Sequence, residues 1–217
     1  MNRTIHTALF DLDGTLINTN DHILHAFNYA FQKVLGQTID VSLATSTFGI
    51  PLREAMAILN PSSAEALYEA YQEYSNQKGF KDIQTFPHAK ETLSALKEQG
   101  YYIGIVTSRR KKVAQDFLDI FQLMPYIDCV IGPEDCMEKK PNPEPVLRAL
   151  DTLNTAPTHA VMIGDSVHDI VAGKTAGTKT IGVTYAAQGI ASMRSAGCDK
   201  FIEHLSEIPT LLENWQL

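Results

Sequence analysis

Ala8-Leu9-Phe10-Asp11-Leu12-Asp13-Gly14-Thr15-Leu16 is the stretch whose reading decides the fold. A short apolar run closed by turn residues reads as a buried strand, and this one ends on two carboxylates followed at once by Gly14. In a parallel sheet covered by helices, ligands bind just outside the carboxyl ends of the strands, so Asp11 and Asp13 are candidates for chemistry. Residues two apart on a strand point the same way. The two acids therefore converge if the strand persists, although Gly14 signals that the chain is turning. Acids so close repel each other and raise one pKa unless a positive charge stands beside them. The pair calls for a cation: a hard ion with oxygen ligands such as Mg²⁺, or a lysine from elsewhere in the chain. On these residues alone, an exposed Asp-Gly turn with no partner reads equally well.

Beyond Leu16 the pattern turns helical. Asp21 is placed to cap a helix carrying Ile23, Phe27, Ala30, Phe31 and Val34 and stopping near Gly36. A helix-poor link runs through Thr45 to Pro51. A second helix starts around Leu52, and a third follows Pro61, with Ser62 and Glu65 spaced as a capping box and Gly79 as its stop. No strand is expected from Ile17 to Gln84. That interval reads as an inserted helical cap, residues 17–84, within a core made of residues 1–16 and 85–217.

From Phe86 onward helix and strand alternate. Pro87 to Gln99 reads as a helix, Tyr101 to Val106 as a strand ending at Thr107 and Ser108, and the chain to about Phe121 as a helix. Cys129 to Ile131 is a short strand, followed by a polar link from Gly132 to Asn142 and a helix with Val146, Leu147 and Leu150. Ala160 to Ile163 is a strand ending at Gly164-Asp165, and a small-residue helix from Asp169 to Ala176 leads to a strand over Lys179 to Val183. A short run at Phe201-Ile202 and a helix near Leu211 close the chain. This order predicts an α/β fold, a doubly wound, mostly parallel sheet of Rossmann-like form with the small α-helical cap inserted.

Composition narrows the function classes. The chain has 217 residues, 44% hydrophobic and 20% charged, which is ordinary for a folded domain with a sizeable core. Its 18 Lys and Arg against 25 Asp and Glu give a net charge of −7, the opposite of a nucleic-acid footprint. No nucleic-acid partner is expected, and a phosphorylated substrate needs local positive charge or a metal. Asp11 and Asp13 interrupt the one apolar run near the start, so neither a leader nor a membrane anchor is expected. Cys129, Cys136 and Cys198 are odd in number and lack metal-ligand spacing. They read as unpaired thiols of a cytoplasmic protein.

The carboxyl ends of the best strands carry Asp11 and Asp13, then Thr107, then Asp165, and element order alone turns them toward one crevice. Lys140, in Lys139-Lys140-Pro141-Asn142-Pro143, sits in a proline-stiffened loop. Without context it reads as a solvated lysine.

Four segments in order, Asp11-Leu-Asp13-Gly14-Thr15, the strand ending in Thr107, Lys140-Pro-Asn-Pro-Glu144 and Gly164-Asp165-Ser-Val-His-Asp169, resemble the four motifs of the haloacid dehalogenase superfamily. The interval from Ile17 to Gln84 resembles that family's small helical cap. Within that family the chain is similar to phosphoglycolate phosphatases, and Thr15-Leu-Ile-Asn-Thr-Asn20, Pro143-Glu-Pro-Val-Leu147 and Gly173-Lys-Thr-Ala-Gly-Thr-Lys-Thr180 resemble especially its bacterial pyrophosphatase branch. The resemblance implies Asp11 as a nucleophile that forms an aspartyl-phosphate and Asp13 as the acid and then the base. It implies Mg²⁺ held by Asp11, the Asp13 backbone carbonyl and Asp165, and Thr107, Ser108 and Gly14 around the phosphoryl group. Lys140 is implied to balance charge, and Asp169 to orient Lys140 or a metal-bound water. Pyrophosphate or a small monoester such as 2-phosphoglycolate is the implied substrate, with the cap closing to exclude water and the chain a monomer or homodimer.

Asp13 favours phosphate-ester or anhydride chemistry, since relatives that cleave carbon-halogen or carbon-phosphorus bonds lack an acid there. A β-phosphoglucomutase-like mutase keeps the same motifs and is the main alternative; an idle member acting as a binding or regulatory subunit is a remote one. In Gly49-Ile-Pro-Leu-Arg53-Glu54 a bend presents Arg53 as a contact for a second anionic group, or as a plain surface arginine. Asn18 stands where many relatives carry an acid. Gly173-Lys174-Thr175 ends like a nucleotide-binding loop, but His168 occupies the position that needs glycine, so that reading is rejected. His22 and His25 read as a hydrated helix face, with a face toward the substrate as the alternative, and neither they nor His168 has metal-ligand spacing.

Overall fold

The computed structural model describes residues 5–78, 83–185 and 190–215. The elements run β1 (Thr7–Phe10), β2 (Ile17–Asn18), α1 (Asn20–Leu35), α2 (Val41–Thr45), α3 (Leu52–Leu59), α4 (Ala64–Lys78) and β3 (Gln84–Thr85). They continue as α5 (Ala89–Glu98), β4 (Tyr102–Val106), α6 (Lys111–Ile120), β5 (Cys129–Ile131), α7 (Glu144–Thr152), β6 (Ala160–Gly164), α8 (Val167–Ala176), β7 (Lys179–Val183), α9 (Ile190–Ser195), β8 (Lys200–Ile202) and α10 (Ile208–Glu213). Contacts divide the chain into two compact units, Asn18–Gln84 and the rest.

The larger unit holds a six-stranded sheet in the order β5-β4-β1-β6-β7-β8, with every neighbouring pair parallel. The architecture is the α/β fold that alternation predicts. All four residues of β1 and all five of β6 are buried, as strands covered by helices on both faces must be. The chain builds outward from β1 through β4 to β5, then returns to the other side of β1 to lay down β6. That reversal is the topological switch point beside which open α/β sheets bind ligands. Register aligns the strand ends, with Phe10 opposite both Ile105 and Ile163. Side chains just beyond β1, β4 and β6 are therefore neighbours.

The smaller unit is helical, with an apolar interior that includes Phe27, Phe31, Phe48, Met56, Leu67 and Tyr71. It is the inserted helical cap that accompanies the core. Several local readings change. Thr19, not Asp21, occupies the N-cap position of α1, and Asp21 lies in the first turn. The supposed helix-poor link contains α2, capped by Asp40, whose carboxylate accepts from the Ser42 and Leu43 N–H groups. No Ser62–Glu65 capping box forms. Asn60 accepts from the Ser63 N–H and from Ser62 Oγ, while Glu65 pairs with Arg53. Gly79, the expected stop of the third helix, lies outside the described residues.

His22 does not lie on a hydrated face. It is buried, with Nε2 3.3 Å from Ser75 Oγ and its ring beside Tyr74. Gly173 lies within α8, where a Cβ would press on Met162 and Thr180, so it serves helix-to-sheet packing and not a phosphate loop. Among the described residues, no helix is long and apolar enough to cross a membrane.

Candidate active site

Strand β1 delivers Asp11 to the switch point, where its N–H donates to the Ile163 carbonyl of the neighbouring β6 (2.8 Å). Asp11, Asp165 and Asp169 are all buried, and one carboxylate oxygen from each lies within 4.8 Å of the others. The packing depends on two glycines. Gly14 has φ +81°, a conformation that side chains resist, and a Cβ there would overlap Asp165 Oδ2. A Cβ on Gly164 would overlap Asp169.

Lys140 enters this cluster from its loop and is itself buried. Its Nζ donates to Asp11 Oδ1 (2.7 Å), Asp169 Oδ1 (2.7 Å) and the Val106 carbonyl (2.9 Å). Those contacts use all three ammonium hydrogens. The loop is shaped by its own polar residues: Glu144 accepts from the Met137 and Glu138 N–H groups, and Asn142 Oδ1 accepts from the Glu144 N–H. Asp169 is fixed from two sides. Its Oδ2 accepts from the Ser166 N–H (3.1 Å) and Oγ (2.6 Å), and Ser166 in turn caps α8.

With all three buried carboxylates ionised, the one buried ammonium would leave two negative charges uncompensated, and without a metal the cluster resists that ionisation. Burial pushes the Asp11 carboxyl up to about 7 against the pull of Lys140, with Asp169 and Asp13 adding repulsion. Burial, then Asp11 and Asp169, hold Asp165 well above the ordinary carboxylate range. For Lys140, burial works against the charge, but Asp11 and Asp169 outweigh it and keep the ammonium protonated.

The Asp13 carboxylate lies outside that cluster. Arg109 Nε donates to its Oδ2 (2.8 Å) and Nη2 to its Oδ1 (2.7 Å), a bidentate pair. The guanidinium also lies over the Phe117 ring, 4.7 Å from its centre. The Arg109 N–H donates to Thr107 Oγ1 (3.1 Å), so the buried Thr107 hydroxyl accepts along the backbone and its own hydrogen points elsewhere. Ser108 continues the same turn. Tyr185 Oη donates to the Thr15 carbonyl (2.7 Å), anchoring the segment after Gly14.

Of the residues singled out from the sequence, Asp11, Lys140, Asp165 and Asp169 meet in one buried cluster, and Arg109 links Asp13 to Thr107. Arg53 belongs to the helical unit, where it pairs with Glu65 and stacks on Tyr68, and its side chain is 60% exposed. Asn18 is exposed, and its side chain accepts from the Asn20 N–H. Arg109, Ser166 and Tyr185 were not foreseen. Ser166 was the findable one, because Ser166-x-x-Asp169 has capping-box spacing.

Comparison with known proteins gives one consistent result. A model of the haloacid dehalogenase-like hydrolase family matches residues 8–183. The chain is 35% identical over 209 residues to the "Putative pyrophosphatase PpaX" of Clostridium perfringens (strain 13 / Type A), covering 96% of this chain and 98% of that one. It is 32% identical to the pyrophosphatase PpaX of Bacillus cereus (strain G9842), covering 97% of each. Among solved structures, a haloacid dehalogenase-like family hydrolase from Streptococcus pneumoniae superposes with a TM-score of 0.85 at 25% identity, covering 95% of this chain and 98% of that one. The aspartate cluster, of the kind that holds Mg²⁺ in such enzymes, sits where this fold binds its ligands, and the chain belongs to the haloacid dehalogenase-like hydrolase family.

Proposed function

We propose that this hydrolase cleaves inorganic pyrophosphate through a covalent intermediate on Asp11. The observation that carries the reading is Lys140 Nζ donating to Asp11 Oδ1 at 2.7 Å. That contact holds the carboxylate at the end of the central strand, where an in-line attack on phosphorus needs a fixed nucleophile. The names carried by the 35% and 32% identical relatives support the choice of substrate.

In the first step an Asp11 oxygen forms a bond to phosphorus, and the bond from phosphorus to the bridging oxygen breaks. Asp13 gives a proton to that oxygen as phosphate departs. In the second step Asp13 takes a proton from water, the water oxygen attacks the aspartyl-phosphate, and the second phosphate leaves with Asp11 restored. Thr107 donates its hydroxyl hydrogen to a phosphoryl oxygen, with Ser108 and Gly14 lining the same turns. Lys140 offsets charge on Asp11 and on the phosphoryl group. Asp169 acts through Lys140, which it orients by the 2.7 Å contact.

The donor set fits Mg²⁺. It offers hard oxygen ligands, and the two negative charges that full ionisation leaves uncompensated equal the charge of one divalent ion. Asp11, Asp165 and the Asp13 backbone carbonyl would hold it. Bound there, the ion supplies Lewis-acid stabilisation of phosphoryl charge and lowers repulsion between two anions.

The test is steady-state hydrolysis of pyrophosphate, 2-phosphoglycolate and a hexose 1-phosphate at equal concentration, with Mg²⁺ and with chelator. Pyrophosphate should have the highest kcat/KM by at least tenfold, and chelator should abolish turnover. A preference for either monoester would overturn the anhydride reading.

A further inference from the structure

We propose that Arg109 is the specificity residue for the leaving side of the substrate. On this account its guanidinium exchanges from Asp13 onto an anionic group of the departing fragment, such as the second phosphate of pyrophosphate. The inference rests on the phosphohydrolase reading of the same site and extends it to a residue outside the four motif segments.

Three observations carry it. First, both oxygens of Asp13 are taken by Arg109 in the resting chain, through Nε at 2.8 Å and Nη2 at 2.7 Å. A carboxylate held by that fork cannot reach a bridging oxygen until the fork lets go. Second, the fork matches a phosphate as well as a carboxylate, because two parallel N–H donors suit any pair of anionic oxygens. A substrate with a charged leaving group therefore offers Arg109 an equivalent partner at the moment Asp13 is needed. A substrate with a neutral leaving group offers none.

Third, Arg109 is built to pivot in place. Its backbone N–H is tied to Thr107 Oγ1 at 3.1 Å, its guanidinium rests on the Phe117 ring at 4.7 Å, and its side chain keeps 20% exposure. The backbone anchor and the ring fix one end and one face, leaving the donor edge to change partners. Asp13 is similarly accessible, at 23%, whereas the Lys140, Asp11 and Asp169 side chains are exposed by only 4%, 9% and 1%. Arg109 remains a cation throughout, and no bond is made or broken in the exchange.

The test measures kcat/KM of wild type, Arg109→Met and Arg109→Lys with Mg²⁺ on pyrophosphate, 2-phosphoglycolate and ethyl phosphate, whose uncharged leaving group still needs a proton from Asp13, with melting temperatures alongside. For Arg109→Met, the ratio of pyrophosphate to ethyl phosphate should fall at least 30-fold relative to wild type. Arg109→Lys should recover part of it, because an ammonium supplies charge without the bidentate fork. Equal losses on all substrates would mark Arg109 as merely structural and overturn the proposal, as would an unchanged ratio. The wild-type preference tests the pyrophosphate reading separately. If wild type prefers 2-phosphoglycolate, that reading fails, and the carboxylate of the leaving fragment takes the place of the second phosphate in the same comparison. If wild type turns over neither anionic substrate, both fail.

Discussion

Lys140 Nζ donates to Asp11 Oδ1 across 2.7 Å although 129 residues separate the two in the chain. Both are buried, and the same ammonium binds Asp169 and the Val106 carbonyl. Removing one member of such a set strands the others. Lys140→Met should destabilise the metal-free protein by about 3–5 kcal/mol at pH 8. The pH dependence has a definite sign. The folded Asp11 pKa, about 7, lies above its unfolded value, so ionising it costs stability as pH rises through that window. Losing Lys140 enlarges that cost. The deficit of the variant should therefore shrink as pH falls from 8 to 5, without vanishing, because Asp169 also loses its partner. Denaturant unfolding across that range checks this; a deficit independent of pH would contradict it.

The uncompensated charge predicts what a divalent ion does to stability. Mg²⁺ at about 100 times its dissociation constant should stabilise the folded chain by about 2.7 kcal/mol, which raises the melting temperature by roughly 5–10 °C for a chain of this size. Asp165→Asn should abolish that rise. Burial, Asp11 and Asp169 raise the Asp165 pKa above its unfolded value, so its stability cost grows as pH rises, and an amide carries no such cost. The metal-free variant should melt above metal-free wild type at pH 8. Calorimetry with and without Mg²⁺ separates the two effects.

The proposed reaction has Asp13 deliver a proton to the leaving group. Asp13→Asn should slow turnover most where the leaving group is poor, by about 10²–10⁴-fold for an alkyl phosphate. It should cost far less for p-nitrophenyl phosphate, whose leaving group needs no proton. Equal losses on both substrates would remove Asp13 as the acid.

The site was legible where strand order governs it. Asp11, Thr107 and Asp165 could be placed together because each follows an apolar run, and a switch point brings β1, β4 and β6 side by side. Lys140 was legible only through the motif resemblance, since nothing local distinguishes it from Lys139, and a buried ammonium is defined by partners 29 and 129 residues away. Arg109 was hidden for a related reason. It stands in the run Arg109-Arg110-Lys111-Lys112, where the turn after β4, and not residue type, selects the one that meets Asp13. Two-residue strands such as β2 and β3 carry no periodicity to read, and α2 is too short to announce itself except through Asp40. The Ser62–Glu65 spacing was outcompeted by Asn60, one residue before Pro61, whose side chain reaches the Ser63 N–H.

In the proposed mechanism an Asp11 oxygen forms the bond to phosphorus, and kcat of Asp11→Asn beside wild type on pyrophosphate with Mg²⁺ tests that most directly. Asn keeps the shape of the side chain, and Asp169 still holds Lys140, so the variant should fold. A loss of at least 10³-fold in kcat is expected, because an amide is no nucleophile toward phosphorus. A folded variant that retains more than a tenth of wild-type turnover would contradict the covalent mechanism.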